Sequence, residues 1–432
     1  MRNITNWKLP FLAIVAVVAV AMIAVYLKGH HDGSVGKGLK LSSEAQAAKA
    51  KISPVKALKE RDVYYPGTED LKPEEMRVIA LGTGMPMPRL KQAAACFLIE
   101  LGNGDKFIFD MGTGSMERIY ALGIPLDYID KVFLTHLHMD HMGDLPAFWM
   151  YGPQNNRSKP LRIWGPGGGG TRAEWGTQAA MDHMVEMWAW MNGVMVGTID
   201  FSSAAVEVTE YDWSKVNGVI YDDNGVVIRS IPAIHFEQTA SFILEWNGMK
   251  LAFMGDSLPN KWWIEHANGA DLAIGECFLP VALAAKKWGF TGQEALNAVT
   301  TIHANATFAG KVMAMTKAKH NVAYHFQNDA DTLPVVMKAV EQVYDGPVDY
   351  ALDFMVWNVT KDGVRTRMAV PNREAYPPPS LVEKKMASGG DRYQTPDSVL
   401  AGWPEEFNAV ADKIYADFNK ENGTDYKFQL KK

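Results

Sequence analysis

The sequence predicts an α/β fold, in which β-strands alternate with α-helices. Short runs of β-branched and aromatic residues recur between turns, and several end in Gly, Asp or His, as in DKFIFDMG, KVFLTHLH and MKLAFMGDS. Two segments between the strands, 171–195 and 291–319, have apolar residues at helical spacing. Because α/β sheets present functional side chains at the carboxyl ends of their strands, the chemistry is expected at one edge of the sheet.

Length and composition are those of a folded protein. The chain has 432 residues, of which 47% are hydrophobic and 21% are charged, enough to bury a full core in one large domain or two smaller ones. The formal net charge is -6, and acidic and basic residues are mixed along the chain. Because nucleic-acid binding relies on clustered Lys and Arg, we expect no nucleic acid partner.

An N-terminal apolar segment, Leu9–Leu27, predicts contact with a membrane. At about 1.5 Å per residue, a helix of this length just spans the hydrocarbon layer of a bilayer. A cleaved signal peptide is the alternative, although its apolar core is usually only about 7 to 15 residues long. We therefore expect residues 1–28 to form a transmembrane or signal-anchor helix. The folded domain would then be exported, periplasmic or extracellular, and anchored, or secreted after signal cleavage.

The rest of the chain divides into three predicted segments. Residues 29–75 are polar and predict a linker, 76–370 hold the predicted strands and form the main domain, and 371–432 form a C-terminal extension with a Pro-rich turn and a helix. Cys96 and Cys277 lie in apolar, strand-like contexts and are expected in the core. The Trp and Met residues of 171–195 favour core packing by their helical spacing, with the wall of an apolar substrate pocket as the alternative.

The most informative segment is Thr135–His141, with the sequence THLHMDH. Three imidazoles and one carboxylate follow a predicted strand directly, which places four groups of metal-binding type on one tight turn. An exposed polar loop is the alternative. Further candidate ligands recur at the ends of other predicted strands, however, which favours a metal site: Asp110, His235, Asp256 and His325.

The pattern His-x-His-x-Asp-His resembles the signature of the metallo-β-lactamase superfamily. The resemblance covers about Met76 to Gln327 and includes, in order, LGTG, the Asp-x-Gly at Asp110, the His-rich turn, the lone His235, the Gly-Asp-Ser at Asp256, and His325. It implies an αββα sandwich of the metallo-β-lactamase type, with two mixed sheets face to face and helices outside. The metals would lie at one edge, between the sheets.

The resemblance also implies a site for two divalent metal ions, with Zn²⁺ as the expected ion, although a His and Asp set also accepts iron or manganese. One metal would be held by His136, His138 and His235, the other by Asp140, His141 and His325, and Asp256 would bridge them. Bound metal lowers the pKa of water to about neutral and so supplies hydroxide. Asp110 is expected behind the ligating histidines, where it would fix their orientation.

Within the superfamily the chain resembles the ribonuclease Z and arylsulfatase-like branch. A His opens the helix before the last ligand in that branch, and His303 in TIHANAT matches it. His303 is thus a candidate general acid for the leaving group. Glu276, at the end of ADLAIGE, matches the acidic position of the branch and is expected to hold His303. Asp140 is expected to orient the hydroxide and take its proton as well as to bind metal.

The expected substrate is a small anionic ester, either a phosphodiester or a sulfate ester. In ribonuclease Z a long Gly/Pro-rich arm that clamps tRNA lies between the lone His and the Gly-Asp, whereas here a short segment joins His235 to Asp256. The alternatives are a lactonase or β-lactamase-type acyl hydrolase, and a metal-binding scaffold protein without turnover. The expected partners are a small-molecule ester and, through the N-terminal helix, a membrane. The sequence leaves the oligomeric state open.

Overall fold

The β-strands of the protein belong to two mixed sheets. The structure, a computed structural model, describes residues 63–87, 89–155, 157–169, 172–195, 201–374, 376 and 396–429. In chain order the strands are β1 Val63–Tyr64, β2 Met76–Gly82, β3 Cys96–Leu101, β4 Lys106–Phe109, β5 Lys131–Phe133, β6 Leu161–Pro166, β7 Val206–Tyr211, β8 Gly218–Asp223, β9 Val226–Pro232, β10 Ala240–Trp246, β11 Met249–Phe253, β12 Leu272–Glu276, β13 Asn321–Tyr324, β14 Val348–Tyr350, β15 Met355–Thr360 and β16 Gly363–Ala369.

The first sheet has nine strands in the order β1-β16-β15-β2-β3-β4-β5-β6-β7, and the second has seven in the order β14-β13-β12-β11-β10-β9-β8. Strands β4 to β7 pair in parallel, as do β11 to β14. The remaining pairs are antiparallel, apart from β1 with β16. Each sheet therefore has a parallel half, whose strands end at a common edge.

The α-helices lie between the strands in the sequence and after the last strand. They are α1 Ser115–Ala121, α2 Met139–Met142, α3 Leu145–Gln154, α4 Thr177–Met187, α5 Ala189–Met195, α6 Lys261–His266, α7 Val281–Trp288, α8 Gly292–Asn297, α9 Ala306–Thr316, α10 Leu333–Glu341, α11 Asp397–Leu400 and α12 Glu406–Asn422. Thr291 caps α8 reciprocally with Glu294, and Asn305 caps α9 through the backbone N–H groups of Thr307 and Phe308.

An aromatic core joins the two sheets face to face. Phe109 of the first sheet lies with its ring centroid 5.3 Å from that of Phe242 and 5.6 Å from that of Phe253, both of the second sheet. On the other side of the first sheet, buried residues of α1, α3 and α4 pack against its strands. Residues of α6 to α10 do the same on the second sheet. The prediction of a mixed α/β fold with two facing sheets and outer helices is confirmed.

The predicted helical segments are shorter than the sequence indicated. Segment 171–195 contains a 3₁₀ turn followed by α4 and α5, and 291–319 is interrupted between α8 and α9. On α4, Met181 and Met184 are buried, whereas Met187 is exposed, as is Trp190 on α5. The stripe of Trp and Met residues is therefore only partly core. Cys96 and Cys277 are buried, as predicted, and both are free cysteines.

Two predictions concern the ends of the chain. The N-terminal transmembrane or signal-anchor helix falls on residues outside those described. Among the described residues, no helix combines the length and apolar character needed to cross a bilayer. The domain boundaries at 28, 75 and 370 stay predictions, although strand β1 already pairs with β16 ahead of Met76.

Candidate active site

The predicted site residues meet at the edge where the parallel strands of both sheets end. Asp110 directly follows β4, and the His-rich turn begins shortly after β5. In the second sheet Glu276 is the last residue of β12, and His325 directly follows β13. Asp110 and His325 both have positive φ angles, 56° and 67°, so the backbone bends sharply at both positions. Such unusual backbone conformations are concentrated at functional sites.

His136, His138 and His235 form the first group of candidate ligands. Their ligating atoms lie within 4.8 Å of one another. His136 Nε2 is 2.9 Å from His138 Nδ1, and His235 Nε2 is 3.3 Å from the same atom. The carbonyl of Ile302 only accepts hydrogen bonds, so its 2.9 Å contact with His235 Nδ1 requires a proton on that nitrogen. The other ring nitrogen, Nε2, is thereby left free to bind a metal.

Asp140, His141, Asp256 and His325 form the second group, and all four are buried. His325 Nε2 is 3.1 Å from Asp140 Oδ2 and 3.4 Å from Asp256 Oδ1. Asp256 Oδ1 is also 3.3 Å from His141 Nε2. The other oxygen of Asp256 faces His235 Nε2 of the first group at 3.8 Å. Asp256 therefore lies between the two groups, where a bridging ligand would have to be.

A metal ion fits this arrangement. Both carboxylate oxygens of Asp256 are buried and make no hydrogen bond within the described chain, and the same is true of His141 Nε2. A buried carboxylate without hydrogen bonds is costly, and a cation that it coordinates removes that cost. The donors are imidazole and carboxylate groups, a set suited to zinc, iron or manganese.

The pKa values of these groups reflect burial and close opposite charges. Burial lowers the pKa of His136 well below its ordinary value, which keeps the imidazole neutral, the form that binds metal. Burial alone would also lower the pKa of His141, but the carboxylates of Asp256, Asp110 and Asp140 outweigh it and raise that pKa well above the usual range. Several carboxylates thus converge on one point, and a cation there is stabilised.

Asp110 and Thr135 support both groups from behind. Asp110 Oδ2 is 2.7 Å from His141 Nδ1, while Oδ1 accepts a hydrogen bond of 2.7 Å from the backbone N–H of Thr135. The Thr135 hydroxyl lies 2.8 Å from Asp110 Oδ2 and 3.0 Å from His136 Nδ1. One carboxylate and one hydroxyl therefore orient a histidine in each group. Thr135 was not predicted, although it directly precedes His136.

His303 and Glu276 form a pair beside the second group. His303 Nδ1 is 2.5 Å from Glu276 Oε1, and the His303 ring stacks on Phe278 with centroids 4.4 Å apart. Glu276 Oε2 accepts a 2.9 Å hydrogen bond from the backbone N–H of Ser257, and Oε1 is also 3.3 Å from His325 Nδ1. These two residues, with Asp256 and His325, form a third close cluster of possible ligands. The stacking partner Phe278 was not predicted.

The chain is similar to known hydrolases. A profile of the metallo-beta-lactamase superfamily matches residues 91–153. Ribonuclease Z of Mycobacterium marinum (strain ATCC BAA-535 / M) is 30% identical over 206 residues, which are 46% of this chain and 69% of the relative. Ribonuclease Z of Mycobacterium avium (strain 104) is 31% identical over 209 residues, which are likewise 46% of this chain and 69% of the relative. The solved structure of human tRNase Z, short form, is 20% identical, with a TM-score of 0.48, and covers 65% of this chain and 98% of that chain.

These relatives overturn two predictions. We expected a small-molecule ester, a membrane and no nucleic acid as partners, but the relatives are ribonucleases by name. The prediction was wrong because the net charge of a whole chain does not report the charge around one site. The prediction of an exported enzyme, membrane-anchored or secreted, is also contradicted by the ribonuclease Z relatives. It was drawn from a single apolar segment, Leu9–Leu27, which precedes the predicted main domain in the sequence.

Proposed function

Because this chain belongs to the metallo-β-lactamase superfamily as a ribonuclease Z-like, metal-dependent hydrolase, we propose that it cleaves phosphodiester bonds, those of nucleic acids included, at a two-metal site. The observation that carries the proposal is the position of Asp256 between two groups of candidate ligands, with both of its oxygens buried and neither in a hydrogen bond within the described residues. The ribonuclease Z relatives support a phosphodiester over a sulfate ester or a carbonyl substrate.

The metal ligands in this proposal are His136, His138 and His235 for one ion, and Asp140, His141 and His325 for the other, with Asp256 shared. Two divalent ions, zinc first among the candidates, would supply a hydroxide at neutral pH and polarise the phosphoryl oxygens. Asp140 Oδ2 lies 3.1 Å from His325 Nε2, so both atoms can face the same ion. The Asp140 carboxylate would orient the water that the metals activate and accept the proton that this water loses as it becomes hydroxide.

His303 is proposed as the general acid. Its Nδ1 faces Glu276, which fixes the ring and leaves Nε2 as the nitrogen that gives a proton to the leaving oxygen. Glu276 is itself held by the backbone N–H groups of Ser257 and Ala304. The stacking of His303 on Phe278 fixes the plane of the ring. Glu276 is thus a positioning residue, and His303 the residue that acts on the substrate.

The experiment is to assay the metal-loaded full chain against esters that share a p-nitrophenyl leaving group, namely a phosphodiester and a sulfate, together with a lactone, a β-lactam and an RNA oligonucleotide. We expect turnover of the phosphodiester and the RNA, and a loss of at least about 100-fold in Asp140→Ala, a typical cost of removing a group that transfers protons. Turnover of only the sulfate, lactone or β-lactam would contradict the phosphodiesterase proposal. Metal binding without any turnover would favour a scaffold protein.

The same panel tests the role of His303. His303→Ala is expected to slow cleavage of RNA, which has a poor alkoxide leaving group, by about 100-fold or more. Cleavage of the p-nitrophenyl phosphodiester should change much less, because p-nitrophenolate leaves without a proton. Equal losses on both substrates would show that His303 is not the general acid.

A further inference from the structure

Phe236 is an aromatic residue at the candidate active site that the proposed chemistry does not use. It follows His235 directly, and its ring centroid is 4.7 Å from the ring of His235 and 5.3 Å from that of His138. Phe236 is nevertheless 54% exposed. A large apolar ring that touches two candidate metal ligands and also faces solvent has a surface available to substrate.

Two further exposed apolar side chains flank the same histidines. Met139 follows His138 in the chain and is 71% exposed, and Ile234 precedes His235 and is 47% exposed. We call Met139, Ile234 and Phe236 the apolar shelf. Scattered exposed apolar residues need no explanation, but Phe236 contacts two candidate ligands, and the other two exposed residues are chain neighbours of those same ligands, which indicates a contact surface.

We propose that the apolar shelf binds the nucleobase next to the scissile phosphodiester, with Phe236 as the stacking residue. The inference rests on the proposed function and adds to it a substrate subsite. One sugar separates base from phosphate in a nucleotide, so a base reaches Phe236 while the phosphate lies at the histidines that the ring contacts. Stacking of one base on an aromatic side chain is worth about 5- to 150-fold in binding and tolerates every base.

The competing explanation is structural. Phe236 would then only cover His138 and His235 and hold their rings in place. Loss of the ring would in that case impair the cleavage of every substrate equally, whether or not the substrate carries a base. The two explanations therefore differ in how the loss depends on the substrate, and this difference is measurable.

The test compares two esters with the same leaving group, p-nitrophenyl thymidine 5′-phosphate and methyl p-nitrophenyl phosphate, on the metal-loaded full chain. We expect Phe236→Ala to lower kcat/KM for the thymidine ester by about fivefold or more and that for the methyl ester by less than twofold. Phe236→Tyr keeps the ring and should therefore retain the wild-type ratio of kcat/KM for the thymidine ester to kcat/KM for the methyl ester. Phe236→Leu keeps only apolar bulk, so most of the preference for the thymidine ester should be lost.

Phe407→Ala is the matched control. Phe407 is 53% exposed, close to the value for Phe236, but it lies on α12, which contains no buried residue. Its replacement should leave both kcat/KM values unchanged. Equal losses on both esters in Phe236→Ala, or no loss on either, would overturn the proposed subsite.

A binding measurement separates this inference from the proposed function. Stacking quenches the fluorescence of 2-aminopurine, so 2-aminopurine riboside 5′-monophosphate should be quenched on binding to the wild-type, metal-loaded protein. Phe236→Ala should reduce the quenching and raise Kd by about fivefold or more. If wild type cleaves neither ester but still quenches the probe through Phe236, the hydrolase proposal fails and the subsite stands. Cleavage of both esters without Phe236-dependent quenching would instead overturn the subsite and leave the hydrolase proposal intact.

Discussion

Asp110 shows how one residue serves both halves of the candidate site. Its carboxylate is fully buried, faces His141, and accepts from Thr135, which in turn contacts His136. Its backbone has a φ of 56°, a conformation that Asp and Asn adopt more readily than other residues with a side chain. Asp110→Asn therefore preserves size and backbone preference while it removes the charge.

We expect Asp110→Asn to weaken metal binding by about 10- to 100-fold, the usual cost of losing a group that orients a ligating histidine. Asn has a single acceptor oxygen, which cannot serve both His141 Nδ1 and the backbone N–H of Thr135 as Oδ2 and Oδ1 of the carboxylate do. The measurement is a competition titration of Zn²⁺ against a chromogenic chelator, with Asp362→Asn as the control at an exposed turn between β15 and β16. Wild-type metal affinity in Asp110→Asn would contradict the role of Asp110.

For individual residues, the sequence predicted the candidate ligands better than the residues that contact and orient those ligands. Four of the seven lie close together in THLHMDH, and chemical type and spacing indicate them without any tertiary knowledge. The structure brings all seven into two adjoining groups, while their roles as ligands stay predictions. Thr135, Phe236 and Phe278 carry no metal-ligand chemistry, so only the folded geometry indicates them.

Among the secondary-structure elements, β14 illustrates how the sheets are held together beyond their apolar core. Asp349 of β14, in the second sheet, accepts hydrogen bonds through Oδ2 from Trp357 Nε1 of β15 at 2.8 Å and from Thr366 of β16 at 2.6 Å, both in the first sheet. His320, just before β13, is 2.7 Å from the same oxygen. Burial alone would raise the pKa of Asp349, but these partners lower it below the usual range.

We expect Asp349→Asn to lower the free energy of unfolding by about 1 to 3 kcal/mol near pH 5 to 7, since hydrogen bonds to a charged group are weakened or lost. The pKa of Asp349 is lower in the folded than in the unfolded chain, so its contribution is complete above the unfolded value of about 3.9 and is lost as the pH falls through the folded value. Urea unfolding of wild type and variant at several pH values is the measurement. A difference that persists unchanged at the lowest pH would contradict this linkage.

The helices were harder to predict than the strands. The apolar spacing of 291–319 predicted one helical segment, yet a π-helical turn at Ala298–Ile302 ends at His303, whose backbone is extended. His303 and Ala304 form hydrogen bonds with Glu276, which is 27 or 28 residues earlier in the chain. No local sequence pattern reveals such contacts. Local periodicity therefore found the helix, and tertiary contacts determined where it breaks.

For the whole molecule, stability depends on the aromatic layer between the sheets. Phe109 is fully buried and contacts Phe133 of its own sheet as well as Phe242 and Phe253 of the other. Phe109→Ala is expected to cost about 3 to 5 kcal/mol and Phe109→Leu less, because Leu fills more of the cavity. Urea unfolding with a chelator present excludes any contribution from metal binding. A cost for Phe109→Ala as small as that of the exposed Phe407→Ala would contradict this account.

For the whole molecule, the sequence predicted the architecture correctly, but the predicted partners and the predicted location were wrong. Two facing sheets were implied by the resemblance to the metallo-β-lactamase superfamily, whose motifs are spread along the chain, so the prediction rested on many residues. The absence of a nucleic acid partner was inferred from net charge and from the missing Gly/Pro-rich arm, and the location from a single apolar segment. The ribonuclease Z relatives contradict both inferences.

The distribution of the candidate ligands between the sheets also bears on the order of folding. The His-rich turn follows β5, whereas His325 follows β13 near the end of the second sheet, so the donors are far apart in the sequence. Contacts between distant parts of a chain form late, because closing the intervening loops costs entropy. A complete set of donors thus exists only after both sheets have formed and docked, and a nascent chain that ends before β13 offers a metal ion only part of its final coordination.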